Sequence, residues 1–462
     1  MAQTASGAVN AVPKRILGTL LSSLSGGVVP RIGAPYIAIG RTDEIDALAT
    51  SLDRVADGEG AAKFIIGRYG SGKSFLIQLS RGYAMDAGFV TADCDLSPER
   101  KLAGAGGLAT FRELMKNVAT KTAQNGGALP MILGQWLARL TNELTDEHFT
   151  PDTDEFRDEI GRRITAALRG LEGDVGGFDF AAVLRAYYAA TLADDGEKQS
   201  ACLKWMRGEY NTRTEARAAV GIRSLSIITD ESWYDFLKLF TAFVRLVGYA
   251  GLCVYIDECV NLYKIPNRIS RENNYEKILA MFNDTMQGRA PGLMIVFGGT
   301  PQFLEDTRRG LYSYEALRSR LADGRFGGEL RSLMQPVLRL KRLSDAELLA
   351  LILRLSNLHG TYYHWDVRAR ITEEEMRAFL ESSLAREGAE SMITPREIIR
   401  DFVTLLDLLY ANPDKAAAEI IGAVQKNRTA APADADGDGD APAAPQTSAA
   451  NAASITLDDL EF

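Results

Sequence analysis

Eight consecutive residues, Gly67-Arg68-Tyr69-Gly70-Ser71-Gly72-Lys73-Ser74, match the pattern G-x-x-x-x-G-K-S. Glycines at these positions let backbone N–H groups turn toward an anion. The lysine reaches the β and γ oxygens of a nucleoside triphosphate, and the serine hydroxyl serves Mg²⁺. The spacing predicts a phosphate-binding loop running from Gly67 to Phe75, against the alternative of a merely structural Gly-rich turn. A second constellation is Asp257-Glu258, at the end of the apolar run Leu252-Cys253-Val254-Tyr255-Ile256. Two carboxylates at a strand end often do no more than cap it in solvent. Beside a phosphate loop they acquire chemistry: Asp257 is assigned to the metal and Glu258 to activating the attacking water.

Three further positions complete the candidate set. Thr300 ends the run Leu293-Met294-Ile295-Val296-Phe297-Gly298-Gly299 and could sense a γ-phosphate, or cap a helix before Pro301; the two roles are compatible. In Tyr314-Glu315-Ala316-Leu317-Arg318-Ser319-Arg320-Leu321, Arg320, with Arg318 second, could offer a guanidinium across a subunit interface. Either could equally be a surface salt bridge. Thr394-Pro395-Arg396 places a cation in the first turn of a helix, where the dipole is positive, which predicts an anionic partner such as a nucleotide phosphate.

Positioning these groups requires strands and helices in alternation. Lys63-Phe64-Ile65-Ile66 reads as a buried strand directly before the loop, and Phe75-Leu76-Ile77-Gln78-Leu79 as a helix directly after it. With Phe89–Ala92, Leu252–Ile256, Leu293–Phe297 and Val337–Leu340, five strands are expected in an α/β fold with a parallel sheet covered on both faces. The long interval between the second and third strands should be a helical insertion at about 105–225, with helices over Ala109–Ala123, Met131–Leu144 and Phe156–Leu171. A helix carrying Trp233, Leu237, Phe240, Val244 and Val247, capped by Asp230 or Ser232, leads into the third strand. Thr42 is the expected cap of a helix through Ile45, Leu48 and Leu52. The chain divides into a weakly patterned N-terminal arm (1–35), a nucleotide-binding core (36–342), a helical lid (343–426) whose first helix opens on the capping box Ser344-Asp345-Ala346-Glu347, a linker (427–454) and a short tail (455–462).

Bulk properties narrow the function classes. With 462 residues, 46% hydrophobic and 24% charged, the chain has the composition of a soluble globular protein of two to three domains. No stretch approaches a membrane span, and the apolar run near Ile16 is too short for a signal peptide. Four cysteines without ligand or disulfide spacing and three histidines supply a zinc site poorly and predict a cytoplasmic protein. The net charge of −9 is concentrated: seven acidic and no basic residues lie beyond Arg428, leaving −2 for the rest. A nearly neutral body can carry a basic face, so DNA is not excluded. Lys264, Arg268 and Arg271, and Arg207, Arg213, Arg217 and Arg223, are the candidate contacts, against the alternative of solvated basic faces.

Taken in order, the phosphate loop, Asp257-Glu258, Thr300, Arg320 and Arg396 resemble the Walker A, Walker B, sensor 1, arginine finger and sensor 2 of AAA+ P-loop NTPases. Ile39-Gly40-Arg41-x-x-Glu44 looks like the opening segment of the origin-recognition and signalling branches. Closer still, Ile66–Phe75, Asp95-Leu96-Ser97-Pro98-Glu99-Arg100, Trp233-Tyr234-Asp235, Asp257–Lys264, Asn274–Leu279, Gly298–Pro301 and Arg308–Leu317 are similar to the BrxD-type ATP-binding proteins of bacterial BREX phage-defence islands. The resemblance runs from about Gly26 to Pro413. It implies an intracellular defence ATPase working with a helicase and other island proteins on invading DNA; the leading reading is an ATP- and Mg²⁺-dependent homo-oligomer that engages DNA and positions or loads that helicase. The acidic tail Asp458-Asp459-Leu460-Glu461-Phe462 lies outside the resemblance and looks like the partner-docking tails of single-stranded DNA-binding proteins. A nucleotide-gated signalling switch without motor activity needs the same loop and is the alternative. A small-molecule kinase would leave Glu258, Arg320 and Arg396 without purpose.

Overall fold

A computed structural model of the chain describes residues 12–151, 153–322, 335–385 and 394–430, the side chains of 424–430 excepted. The expected tail and all but the first residues of the linker lie outside the described residues. Contacts divide the chain into two compact units. The first comprises the described residues of Met1–Thr42, Tyr69–Leu79 and Leu340–Phe462, and the second Asp43–Arg68 and Ser80–Arg339.

The second unit holds five strands: β1 (Ala61–Ile66), β2 (Val90–Asp95), β3 (Leu252–Asp257), β4 (Leu293–Gly299) and β5 (Val337–Arg339). They form one sheet in the order β2-β3-β4-β1-β5, and every pairing is parallel. The fold is therefore α/β, with all five strands where the apolar runs predicted them. β1, β3 and β4 are buried along nearly their whole length, which is why these segments read as continuous rather than alternating apolar runs. Phe64 and Phe297 stack across β1 and β4 with ring centroids 4.9 Å apart. Because the strands are parallel, the ends carrying Ile66, Asp257 and Gly299 share one edge, with β4 between β3 and β1.

The helices are α1 (Lys14–Ser25), α2 (Thr42–Ala56), α3 (Lys73–Asp86), then seven between β2 and β3 among the described residues. These seven are α4 (Gly107–Lys116), α5 (Leu129–Asp146), α6 (Asp154–Glu172), α7 (Gly177–Leu192), α8 (Gly196–Met206), α9 (Arg213–Val220) and α10 (Trp233–Val247). α11 (Val260–Tyr263) and α12 (Arg268–Met286) follow β3, and α13 (Pro301–Glu305) and α14 (Glu315–Leu321) follow β4. The first expected helix of the interval is shorter than predicted. It stops at Lys116, and Ala119 exchanges backbone hydrogen bonds with Thr91 in the sheet. Asp230 does not cap α10. Its Oδ1 accepts the N–H groups of Gly106 and Leu108 and so closes the start of α4. Ser232 occupies the N-cap position of α10 without a side-chain bond to it. α2 begins on Thr42 itself.

In the first unit, α15 (Asp345–Tyr363), α16 (Glu373–Leu384), α17 (Pro395–Ala411) and α18 (Ala417–Ala430) pack with α1. Ser344 and Glu347 form the expected capping box, and Thr394 and Glu397 form another. The segment read as a weakly patterned arm contains α1. Leu17, Leu20, Leu21 and Leu24 make one buried stripe at helical spacing, and the chain turns off at Gly26 and Gly27. Gly18 and the serines dilute that stripe, and this hid the helix in the sequence. Among the described residues no helix is long and apolar enough to cross a membrane.

Candidate nucleotide-binding site

Several of the candidate residues lie at strand ends of the sheet unit. Gly67 N–H donates to Gly299 O at 3.1 Å, so the chain leaves β1 beside the end of β4. Asp257 closes β3 and is buried, and its Oδ1 accepts the Glu258 N–H at 2.8 Å. Glu258 is exposed and sits in the left-handed region at φ 55°. A non-glycine residue is held there at a cost of about 1 kcal/mol or more. That conformation turns the chain sharply off the strand, and Cys259 N–H then donates to Gly298 O at 3.0 Å. Thr300 caps α13, its Oγ1 accepting the Phe303 N–H at 3.3 Å. The capping role is thus real, and it leaves the hydroxyl proton available to a ligand.

Tyr69–Leu79, with most of the glycine loop, belongs to the first unit. Gly70 and Gly72 have φ of 75° and 88°, flanking Ser71. Alternating handedness of this kind makes a concavity of N–H groups. Gly72 O accepts from Leu76 N at 2.9 Å, which starts α3 immediately behind it. Ser71 is buried, and its Oγ has no hydrogen-bond partner among the described residues. Lys73, partly buried, likewise makes no hydrogen bond or ion pair among them. Leaving such groups unmatched is costly in a finished core. A loop with an orphaned hydroxyl, an unpaired ammonium and left-handed glycines therefore fits a phosphate chain. Arg68 and Tyr69 are exposed, whereas Phe75 packs against the apolar core of its unit.

A Cβ on Gly70 would lie 2.3 Å from Thr394 Cγ2, so the loop is pressed against the N-cap of α17. Arg396, exposed in the first turn of that helix, thus belongs to the same neighbourhood as Gly70. Arg318 and Arg320 are both exposed. Arg320 donates to Asn283 Oδ1 at 3.1 Å and to Ala316 O of its own helix at 2.7 Å. Among the basic residues considered for DNA, Arg271 is excluded: it is buried and donates to Ile265 O at 2.8 Å. Arg207 pairs with Glu209, Arg217 donates to Leu225 O, and Arg268 pairs with Glu272. Lys264, Arg213 and Arg223 are exposed.

Burial pushes the Cys94 thiol up to about 12 and the Cys202 thiol up to about 11, and raises Cys253 and Cys259 as well. These thiols stay protonated and are not nucleophiles. Two groups in the loop's surroundings were missed in the sequence. One is Arg41, whose guanidinium bonds the loop; the other is Thr394 as a packing partner rather than only a cap. The motif Ile39-Gly40-Arg41 pointed to the first without saying what it touches.

The family of BREX system ATP-binding proteins BrxC/D matches residues 12–425. The chain belongs to the BrxC/D family. The matched span runs from the residue before Pro13 and α1 into α18, and so takes in both compact units and every candidate site residue. No match is found among curated proteins. BrxC/D membership makes the chain a member of an ATP-binding group in a phage-defence system.

Proposed function

We propose that the chain is an ATPase of AAA+ type working within a BREX defence system. The reading rests chiefly on Ser71 Oγ and the Lys73 ammonium: among the described residues both lack partners, in a loop of left-handed glycines that opens a helix behind a parallel strand. In this reading the amides of Gly70 to Ser74 and the Lys73 ammonium hold the β- and γ-phosphates. Ser74 and Asp257 would hold Mg²⁺, which would supply charge neutralisation at the phosphoryl group. Glu258, exposed at the end of β3, takes the proton of the attacking water. Thr300 donates its hydroxyl to a γ-oxygen, and Arg396 on α17 balances phosphate charge. Arg320 acts in a neighbouring subunit's site, which requires a homo-oligomer. The helices between β2 and β3 are read as an insertion and α15–α18 as a lid. The assembly engages DNA through exposed groups such as Arg213, Arg223 and Lys264 and positions a partner helicase, with residues 455–462 docking a partner.

Calorimetric titration of the full chain with ATP and Mg²⁺ tests the foundation. The wild type is expected to bind and Lys73→Ala to lose binding. Absence of heat from the wild type would end the reading. Free phosphate release is expected to be stimulated by DNA; nucleotide-driven assembly indifferent to DNA would instead favour the signalling switch.

A further inference from the structure

Arg41 is a buried cation, 4% exposed, just before α2. Its Nη2 donates to Ser71 O at 2.7 Å and to Lys341 O at 3.0 Å. The same nitrogen lies 3.6 Å from where a Cβ on Gly72 would stand. The preceding residue is fixed too: Gly40 has φ of 70°, and a Cβ there would fall 2.4 Å from Glu347 Oε1, in the capping box of α15. Arg41 is therefore anchored at its backbone and satisfied at its head group, with no freedom to swing.

A trans peptide is planar, so its C=O and N–H point in opposite directions. Holding the Ser71 carbonyl on the Arg41 guanidinium consequently aims the Gly72 N–H the other way, into the concavity made by the loop. Glycine on either side of Ser71 leaves that peptide free to rotate, since both left-handed and right-handed conformations are open to it. Something outside the loop must choose the orientation. A guanidinium suits the task because it stays charged at every working pH and offers donors in a fixed plane. The second bond, to Lys341 O, fixes the guanidinium against the segment entering α15.

We infer that Arg41 is a positioning residue for the phosphate loop, setting the Ser71–Gly72 peptide so that the Gly72 N–H faces the ligand's phosphates. The inference rests on the ATP-binding reading and adds to it a specificity consequence. Arg41 acts on the phosphate chain and not on the base or sugar. Its loss therefore weakens ATP and ADP and leaves AMP nearly unaffected.

The test compares the full-length wild type with Arg41→Gln and Arg41→Lys by calorimetry with Mg·ATP, Mg·ADP and AMP, alongside melting curves without nucleotide. Arg41→Gln is expected to lose about tenfold or more in ATP and ADP affinity, the scale of one charged hydrogen bond. AMP affinity is expected to change less than about twofold on the same scale. Arg41→Lys, keeping charge but not the planar fork, falls between. If Arg41→Gln does not fold, Arg41→Lys alone decides. A purely structural role would lower melting temperature with an unchanged ATP-to-AMP ratio, and that result overturns the inference. Failure of the wild type to bind ATP overturns the underlying reading as well, and is distinguished by the wild-type titration.

Discussion

Glu258 carries the clearest conflict between local preference and position. Its φ of 55° suits glycine, yet a glutamate stands there with its side chain exposed at the end of β3. Natural chains keep such strain where the side chain is used. Glu258→Gly should therefore raise unfolding free energy by about 0.5–1 kcal/mol relative to Glu258→Gln, measured by urea denaturation. Both variants should retain ATP binding and lose at least about 10²-fold in phosphate release, the lower range of general-base assistance. A Glu258→Gly protein that hydrolyses normally would remove the catalytic assignment.

Lys63 offers a different residue-scale test. It is buried in β1, donates to Gln335 O at 2.9 Å, and is lowered from 10.5 to about 8, first by burial and second by Arg54. Below pH 8 it is charged both folded and unfolded, and its burial cost is present in full. Between about 8 and 10.5 the unfolded chain holds more protons, so this group makes stability rise with pH. Denaturation curves between pH 7.5 and 10 should show that rise reduced in Lys63→Met, by up to about 3 kcal/mol. Equal slopes in the two proteins would place Lys63 in a solvated site.

At the scale of elements, the N-terminal helix is the part most readily misjudged. Leu20 is wholly buried between α1 and its neighbours in the first unit. Leu20→Ala should cost about 2–5 kcal/mol, read as a lowered melting temperature of the full chain. An arm without a packed face would show no change. Several residues in the segments that carry the family resemblance act as connectors. Asn274 Oδ1 accepts the N–H groups of Leu102 and Ala103, Trp233 Nε1 donates to Leu102 O, and Asn261 Nδ2 donates to Leu96 O. Tyr263 bonds Asp306, and Arg309 donates to Tyr263 O. These bonds tie the segment after β2, the segment after β3 and the segment after β4 together, next to the edge that carries Asp257 and Thr300. Sequence patterns could flag such residues but not tell a brace from a ligand, because both use the same polar side chains.

For the whole molecule, Arg320 is the residue that tests assembly. Its present bonds to Asn283 and Ala316 are exposed hydrogen bonds of the kind worth little. In the proposed assembly they would be exchanged for a neighbouring subunit's phosphate. Arg320→Ala should leave ATP affinity within about twofold and reduce turnover by about 10³-fold, the lower bound for fingers supplied in trans. The loss should be restored in part by mixing with Lys73→Ala protein, since each supplies what the other lacks, as followed by phosphate release. Normal turnover by Arg320→Ala alone would rule the finger out.

The sequence by itself determined the five strands, the loop between β1 and α3, the pairing of Asp257 with Glu258 and the caps at Ser344 and Thr394. Each is a local matter, set by a few adjacent residues whose apolar run, glycine spacing or hydroxyl leaves the backbone one good solution. Tertiary structure alone decided strand order, the burial of Arg271, the transfer of Asp230 from α10 to α4, and the partners of Arg41. Those depend on which segments meet in space, some of them as far apart in the chain as Arg41 and Lys341. A guanidinium or a carboxylate reads the same in a sequence whether it faces water, a backbone carbonyl or a phosphate.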